Sequence, residues 1–253
     1  LPALLSDHMV LQRGTEAPIW GWASAGATVH VSASWGARGT VKAGADGRWR
    51  AVLATPAEAK GPQTVWIESA AGAATLADVL LGEVWVCGGQ SNMEWTLGPG
   101  VGNGVEGWEQ AAAAADLPGI RWFDVANEVA AAPAEDCRGS WVVCTPASAP
   151  AMSAIGFFYG RALHAALGGV PVGIIGCNWG GTPAEAWTSA EFLARRGDFT
   201  DAVARLRAAR QGKTGQPTLE QQQQSWWEHL QAADPGSQEL WNRADLDDAA
   251  WDS

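Results

Sequence analysis

The chain has 253 residues, 47% of them hydrophobic, enough to bury a core and, at about 100–200 residues per domain, to form one domain or two. Its 27 acidic against 16 basic residues leave a net charge of −11, which offers no electrostatic footprint for a nucleic-acid backbone or an anionic membrane surface. No apolar run approaches the roughly 18–20 residues of a membrane-spanning helix, and Leu1 is not followed by a basic-then-apolar leader. A soluble protein is expected, in a mature form from which a signal peptide has been removed.

Residues 1–77 read as β-structure and are expected to form a small antiparallel sandwich domain. TVHVSASW alternates, with Val29, Val31 and Ala33 on one face and Thr28, His30 and Ser32 on the other. ADGRW supplies a hairpin-type turn into RWRAVL, and GPQTVWIESA adds another strand. Short strands punctuated by Gly, Pro and Asp favour a sandwich.

The pattern changes at Asp78, where an α/β domain is expected over 78–235. DVLLGEVWVCGG is an unbroken apolar run of the kind that a parallel strand buried on both faces shows, and SNMEW can open a helix after it. IRWFDV at 120–125 reads as a second strand. SAIGFFYGRALHAALGG reads as a helix capped by Ser153 and stopped by Gly168, with Ile155, Phe158, Ala162 and Ala166 along one face. VPVGIIGC supplies a third buried strand. Strands alternating with helices imply a parallel sheet with helices on its faces. Residues 190–233 are polar and helical, and WNRADLDDAAWDS, within 236–253, reads as the start of an inserted or further domain.

Four cysteines lie in no CxxC pair and in no metal-ligand spacing, so no metal site is expected. Cys87 and Cys177 end strand-like runs and read as small buried thiols. Cys137 and Cys144 bracket a short loop, as a disulfide in an oxidising compartment or as two free thiols. Sixteen tryptophans against one tyrosine supply large core residues and, for a few of them, faces on which sugar rings stack.

Ligands of open α/β sheets bind at the carboxyl ends of the strands, and two glycine-rich loops fall there. In CGGQSNMEW, paired glycines precede Ser91 at a strand-to-helix turn, where N–H groups are free to meet a developing oxyanion. A serine at a helix start also serves as a simple cap, and both readings stand on local grounds. In GCNWGGTPAEAW, Gly180 and Gly181 leave the backbone open to close approach by a ligand.

GGQSNMEW, preceded by LGEVW and followed by NWGGTPAEAWTS, resembles the sialate O-acetylesterase-like and related xylan acetylesterase families of SGNH hydrolases. LPALLSDHMVLQRG, APIWGWASAGATVHV and ADGRWRAVL resemble the β-sandwich that precedes the catalytic domain in those families. The resemblance implies Ser91 as nucleophile and its N–H as one oxyanion donor. Gly181, ahead of Gly180, would supply the second donor. Gln90 and Asn92 would hold the elbow in shape. It implies an acetylated carbohydrate as substrate, no cofactor, and export to the periplasm or outside.

The chain departs from the family in lacking the QGE block and the D-x-x-H block that carries the base and its aspartate. His8, His30, His164 and His229 match no such block and read as structural or solvated. The base is then expected on residues outside this chain, including a companion chain that carries the C-terminal part of the same protein. The alternative is a non-catalytic carbohydrate-binding or scaffold piece.

Overall fold

The computed structural model describes residues 1–130, 133–210 and 219–234, so the expected further unit at 236–253 lies outside the described residues. Two compact units are present, Leu1–Trp187 and Thr188–Ser253.

The first unit opens with β1 (Val10–Gln12), β2 (Glu16–Trp22), β3 (Thr28–Ala33), β4 (Arg38–Lys42), β5 (Arg48–Ala54) and β6 (Gln63–Ser69). The period-2 reading holds, since Val29, Val31 and Ala33 are all buried. β3 pairs antiparallel with β4 and β6, whereas β2 pairs with β5 in a separate two-stranded sheet. The ADGRW turn therefore carries the chain from one sheet to the other and does not close a hairpin. Ile19, Trp49, Ala51 and Leu53 from the small sheet meet Val29, Val31 and Val65 from the larger one in a single apolar cluster.

β7 (Gly72–Gly89) is one 18-residue strand. Its first part pairs antiparallel with β6, its middle runs parallel to β1, and residues 83–89 run parallel to a later strand, β12. The expected division between residues 77 and 78 falls inside this strand. There the ladder shifts register, and Asp78 adopts φ +52°, a left-handed conformation that Asp tolerates better than most residues.

Beyond β7 come α1 (Ser91–Glu94), the two-residue strands β8 (Pro99–Gly100) and β9 (Gly102–Asn103), and α2 (Trp108–Ala113). β10 (Leu117–Asp124), β11 (Trp141–Cys144), α3 (Ala154–Ala166) and β12 (Val172–Asn178) follow. β12 lies parallel to both β7 and β10, and β11 closes the edge antiparallel to β10. The expected strands at 120–125 and after Gly169 are thus present in a parallel arrangement.

The expectation that β7 is buried on both faces fails at its carboxyl end. Trp85 is 44% exposed and Val86 is 67% exposed. Among the described residues, positions 83–89 have β12 as their only strand neighbour.

Helix α3 starts as expected, with the Ser153 hydroxyl accepting the Gly156 N–H, and it ends at Gly168 in the left-handed region. Its buried face is not the expected one. Ile155, Phe158, Ala162 and Ala166 are exposed or only weakly covered, while Gly156, Phe157 and Gly160 are buried against the sheet. The two glycines decide this, because a Cβ on Gly156 would stand 2.5 Å from the Trp122 ring. Close approach of helix to strand outweighs the larger apolar area of the other face.

All four cysteines are free, so Cys137 and Cys144 form no disulfide. Cys144 is instead packed in the core beneath α3, where burial pushes its thiol up to about 11. The second unit contains α4 (Ala190–Leu193), α5 (Thr200–Arg210) and α6 (Leu219–Ala233), in line with the polar helical reading. No helix among the described residues is long and apolar enough to cross a membrane.

At the bulge, the buried Arg121 guanidinium donates to both Asp78 oxygens, at 2.7 and 3.2 Å, and His8 Nδ1 lies 2.6 Å from Oδ2. Burial alone would raise the Asp78 carboxyl. The hydrogen bonds from Arg121 and His8, reinforced by their charges, outweigh it and hold Asp78 below 3.8. A carboxyl depressed by folding contributes stability that is present above its unfolded pKa and lost as pH falls through the folded one. Asp78→Asn should therefore cost about 2 kcal/mol at pH 7, and it should flatten the loss of stability below pH ~4. Urea unfolding from pH 7 to 2.5 tests both, and an unchanged acid limb in the variant would refute the assignment. Gly156→Ala should overpack the seam between α3 and β10 by about 1–3 kcal/mol, read as a lower melting temperature.

Candidate active site

The register of β12 on β7 sets the site. Asn178 lies opposite Gly89, and the Trp179 N–H donates to the Gly89 carbonyl at 3.1 Å, so the two glycine-rich loops leave the sheet side by side. Ser91 is the first residue of α1, with Gln90 as its N-cap and no side-chain capping bond. The hydroxyl does not cap the helix: it is exposed and has no hydrogen-bond partner among the described residues. α1 has only four residues, so its dipole is small. What it supplies is the Ser91 N–H, in the first turn where helix geometry leaves N–H groups without an intrahelical acceptor.

The second loop is held against the first. A Cβ on Gly180 would lie 3.3 Å from Ser91 Oγ and 2.7 Å from Glu94 Oε2, so a larger residue there would have to push the Glu94 carboxylate aside. The Gly180 N–H donates to Glu94 Oε2 at 2.5 Å. Gln90 Nε2 donates to the Thr182 carbonyl at 3.2 Å and ties the elbow to the loop. Thr182 Oγ1 in turn donates to the Trp179 carbonyl and accepts from Trp187 Nε1. Gly181 sits at φ +74° with open space around it. The Gly180 N–H is taken by Glu94, whereas the Gly181 N–H has no hydrogen-bond partner among the described residues. Asn92 is exposed and makes no side-chain hydrogen bond among the described residues.

Beside these loops lies a polar pocket of about 100 Å3, lined in part by Glu94, Asp124, Asn127, Ser153 and Asn178. Asn127 Nδ2 donates to Glu94 Oε1 at 3.3 Å. Burial, and then the charge of Glu94, hold the Asp124 carboxyl above its ordinary range. Sequence reasoning passed over Glu94, Asp124 and Asn178. Asp124 and Asn178 end parallel strands, so the strand-end rule that singled out Ser91 would also have found them.

The histidines of the first unit are engaged elsewhere. His30 meets Thr40 Oγ1, and His164 Nδ1 lies 2.7 Å from the Val170 carbonyl. His8 and Asp78 do form an aspartate–histidine pair, but at about 3.3 Å per residue Asp78 stands roughly 35 Å down β7 from its Ser91 end. His229 belongs to the second unit. Among the described residues, no group of three or more His, Cys, Asp and Glu side chains is placed to hold a metal.

A parallel sheet flanked by a helix, with glycine-rich loops at the carboxyl ends of adjacent strands, defines an SGNH-like α/β fold joined to an antiparallel sheet. One structural relative is a carbohydrate acetylesterase from Xanthomonas citri, with a TM-score of 0.71 and 40% identity over 78% of this chain and 44% of that one. The sialate O-acetylesterases of Rattus norvegicus and Homo sapiens are each 33% identical over 75% of this chain, covering 37% and 38% of their own lengths. The chain is thus related to the sialate O-acetylesterase-like SGNH hydrolases over three quarters of its length, and spans less than half the length of those relatives. No family model matches the chain.

Removing the charge of Glu94 tests the electrostatics of the pocket. Glu94→Gln should lower the Asp124 pKa without restoring its ordinary value, because burial, the larger cause, remains. Side-chain carboxyl NMR titration reads this directly, and an unmoved Asp124 would show that the two carboxylates do not share the pocket.

Proposed function

We propose that this chain carries the nucleophile half of a serine esterase that removes O-acetyl groups from carbohydrates. The observation that supports it is the unpaired Ser91 hydroxyl set against the Gly180–Gly181 loop at the ends of two adjacent parallel strands. Ser91 Oγ attacks the acetyl carbonyl, the sugar hydroxyl leaves, and water then releases acetate from the acetyl-enzyme. The N–H groups of Ser91 and Gly181 hold the tetrahedral oxyanion, each such donor lowering the barrier by roughly 3 kcal/mol. Gln90 and Glu94 act through the loop that they tie down, and no cofactor takes part.

Serine needs a base within hydrogen-bond reach. Because His8, His30 and His164 are committed elsewhere, the reading assigns the histidine and its aspartate to residues outside this chain, or to a companion chain carrying the rest of the protein. Trp95 and Trp187, exposed on the two site loops, suit the apolar faces of a sugar ring. The substrate is an O-acetylated sugar, in xylan or on sialic acid, met in the periplasm or outside the cell.

The same commitment of the histidines favours a second reading for the isolated chain: a piece that binds carbohydrate or acts as a scaffold without turnover. Acetate release from p-nitrophenyl acetate and acetylated xylan, measured alongside the intact mass of the purified material, separates the two. Ser91→Ala should lower acetate release by at least about 10³-fold where a downstream polypeptide is present. Ser91-independent release there would overturn the esterase reading, and sugar binding without any Ser91-dependent acetate would establish the second.

A further inference from the structure

The pocket beside Ser91 holds an unmet donor. Asn178 is only 7% exposed, and its Nδ2 has no hydrogen-bond partner. A buried N–H group left unpaired is unfavourable by about 1–3 kcal/mol, so an orphan lining a pocket at a strand end points to a ligand that satisfies it. The same pocket is lined by the carboxylates of Glu94 and Asp124, which can accept further hydrogen bonds.

The chemistry of the set is selective. An acetyl methyl would leave the Asn178 donor unmet. A cation would meet the carboxylates but face the Asn178 N–H. A carboxylate would satisfy Asn178 while opposing two like charges. A hydroxyl does both jobs, accepting from Asn178 and donating to a carboxylate. The pocket, of about 100 Å3, has room for a hydroxyl or hydroxymethyl arm of a sugar.

We propose that this pocket seats a hydroxyl-bearing arm of a neutral pyranose, with Asn178 as donor and Glu94 and Asp124 as acceptors, and that it turns away sugars that bring a carboxylate to it. The inference rests on the carbohydrate reading above and names the substrate class. Neutral acetylated polysaccharide units fit the pocket, and the anionic sialate skeleton does not.

Equilibrium binding tests this without calling on catalysis. The 253-residue chain is titrated with methyl β-D-xylopyranoside and, separately, with N-acetylneuraminic acid, and followed by NMR of backbone and Asn side-chain amides. The xyloside should shift the Asn178 amide signals saturably, while the sialic acid produces no saturable shift over the same range. Asn178→Leu keeps the volume and removes the donor, and should weaken the xyloside about tenfold. Asp124→Asn removes one of the two carboxylate charges and should admit the sialic acid.

Equal or tighter binding of N-acetylneuraminic acid by the wild-type chain would overturn the proposal. So would xyloside binding indifferent to Asn178→Leu in a variant whose amide spectrum stays folded, or no xyloside binding at all. Should Asn178→Leu fail to fold, the reversal of sialic acid exclusion by Asp124→Asn decides. Failure of the esterase reading would appear as Ser91-independent acetate release and would leave these titrations unaltered.

Discussion

Strand β7 has to satisfy its backbone against two kinds of neighbour. Its first residues belong to an antiparallel sheet and its last to a parallel one, and the change of partner occurs in a single extended segment. A continuous strand cannot change ladders without a local irregularity, and the register shift with Asp78 at φ +52° is that irregularity. At the break, the Asp78 carboxylate is held by the buried Arg121 of β10, which lies one strand beyond β12 in the same sheet. Arg121 and Asp78 thus join the sandwich to the parallel sheet, and whatever strand register follows is inherited by the loop at Gly89.

That inheritance explains how a chemically ordinary serine becomes a candidate nucleophile. Neither loop builds the site alone. α1 is a single turn, and the Gly180–Gly181 segment is a short turn with open space on one side. Parallel pairing of β12 on β7 brings them within van der Waals contact, and Glu94 and Gln90 then lock one to the other by hydrogen bonds to Gly180 and Thr182. By consuming the Gly180 N–H, this lock leaves the one at Gly181, whose left-handed backbone no β-branched residue would adopt without strain.

Burial is uneven around this centre. The sheet is closed by α3 beneath Trp122 and Ile174, where glycines on the helix allow close packing, while Trp85 and Val86 on the carboxyl end of β7 stay exposed among the described residues. The site therefore sits at the boundary between a well-packed layer and an uncovered stretch of β7.

Local pattern was enough for the elements themselves. The alternation of Val29, Val31 and Ala33, the apolar run into Gly88 and Gly89, and the Ser153 cap all depend on contacts within a few residues or on burial that periodicity records. The motif around Ser91 and the WGGT loop was legible for the same reason, since tight turns demand particular residues. Tertiary structure alone decided which face of α3 is buried, because Gly156 matters only once Trp122 stands across from it, and Gly160 only once Ile174 and Ile120 do. It alone decided that β7 is one strand through both sheets and that the ADGRW turn crosses between layers. It also decided that Cys144 is a core thiol apart from Cys137, and that Glu94, Asp124 and Asn178 share a pocket. These depend on register and on side chains 30 to 90 positions apart, and no local spacing encodes a distance through space.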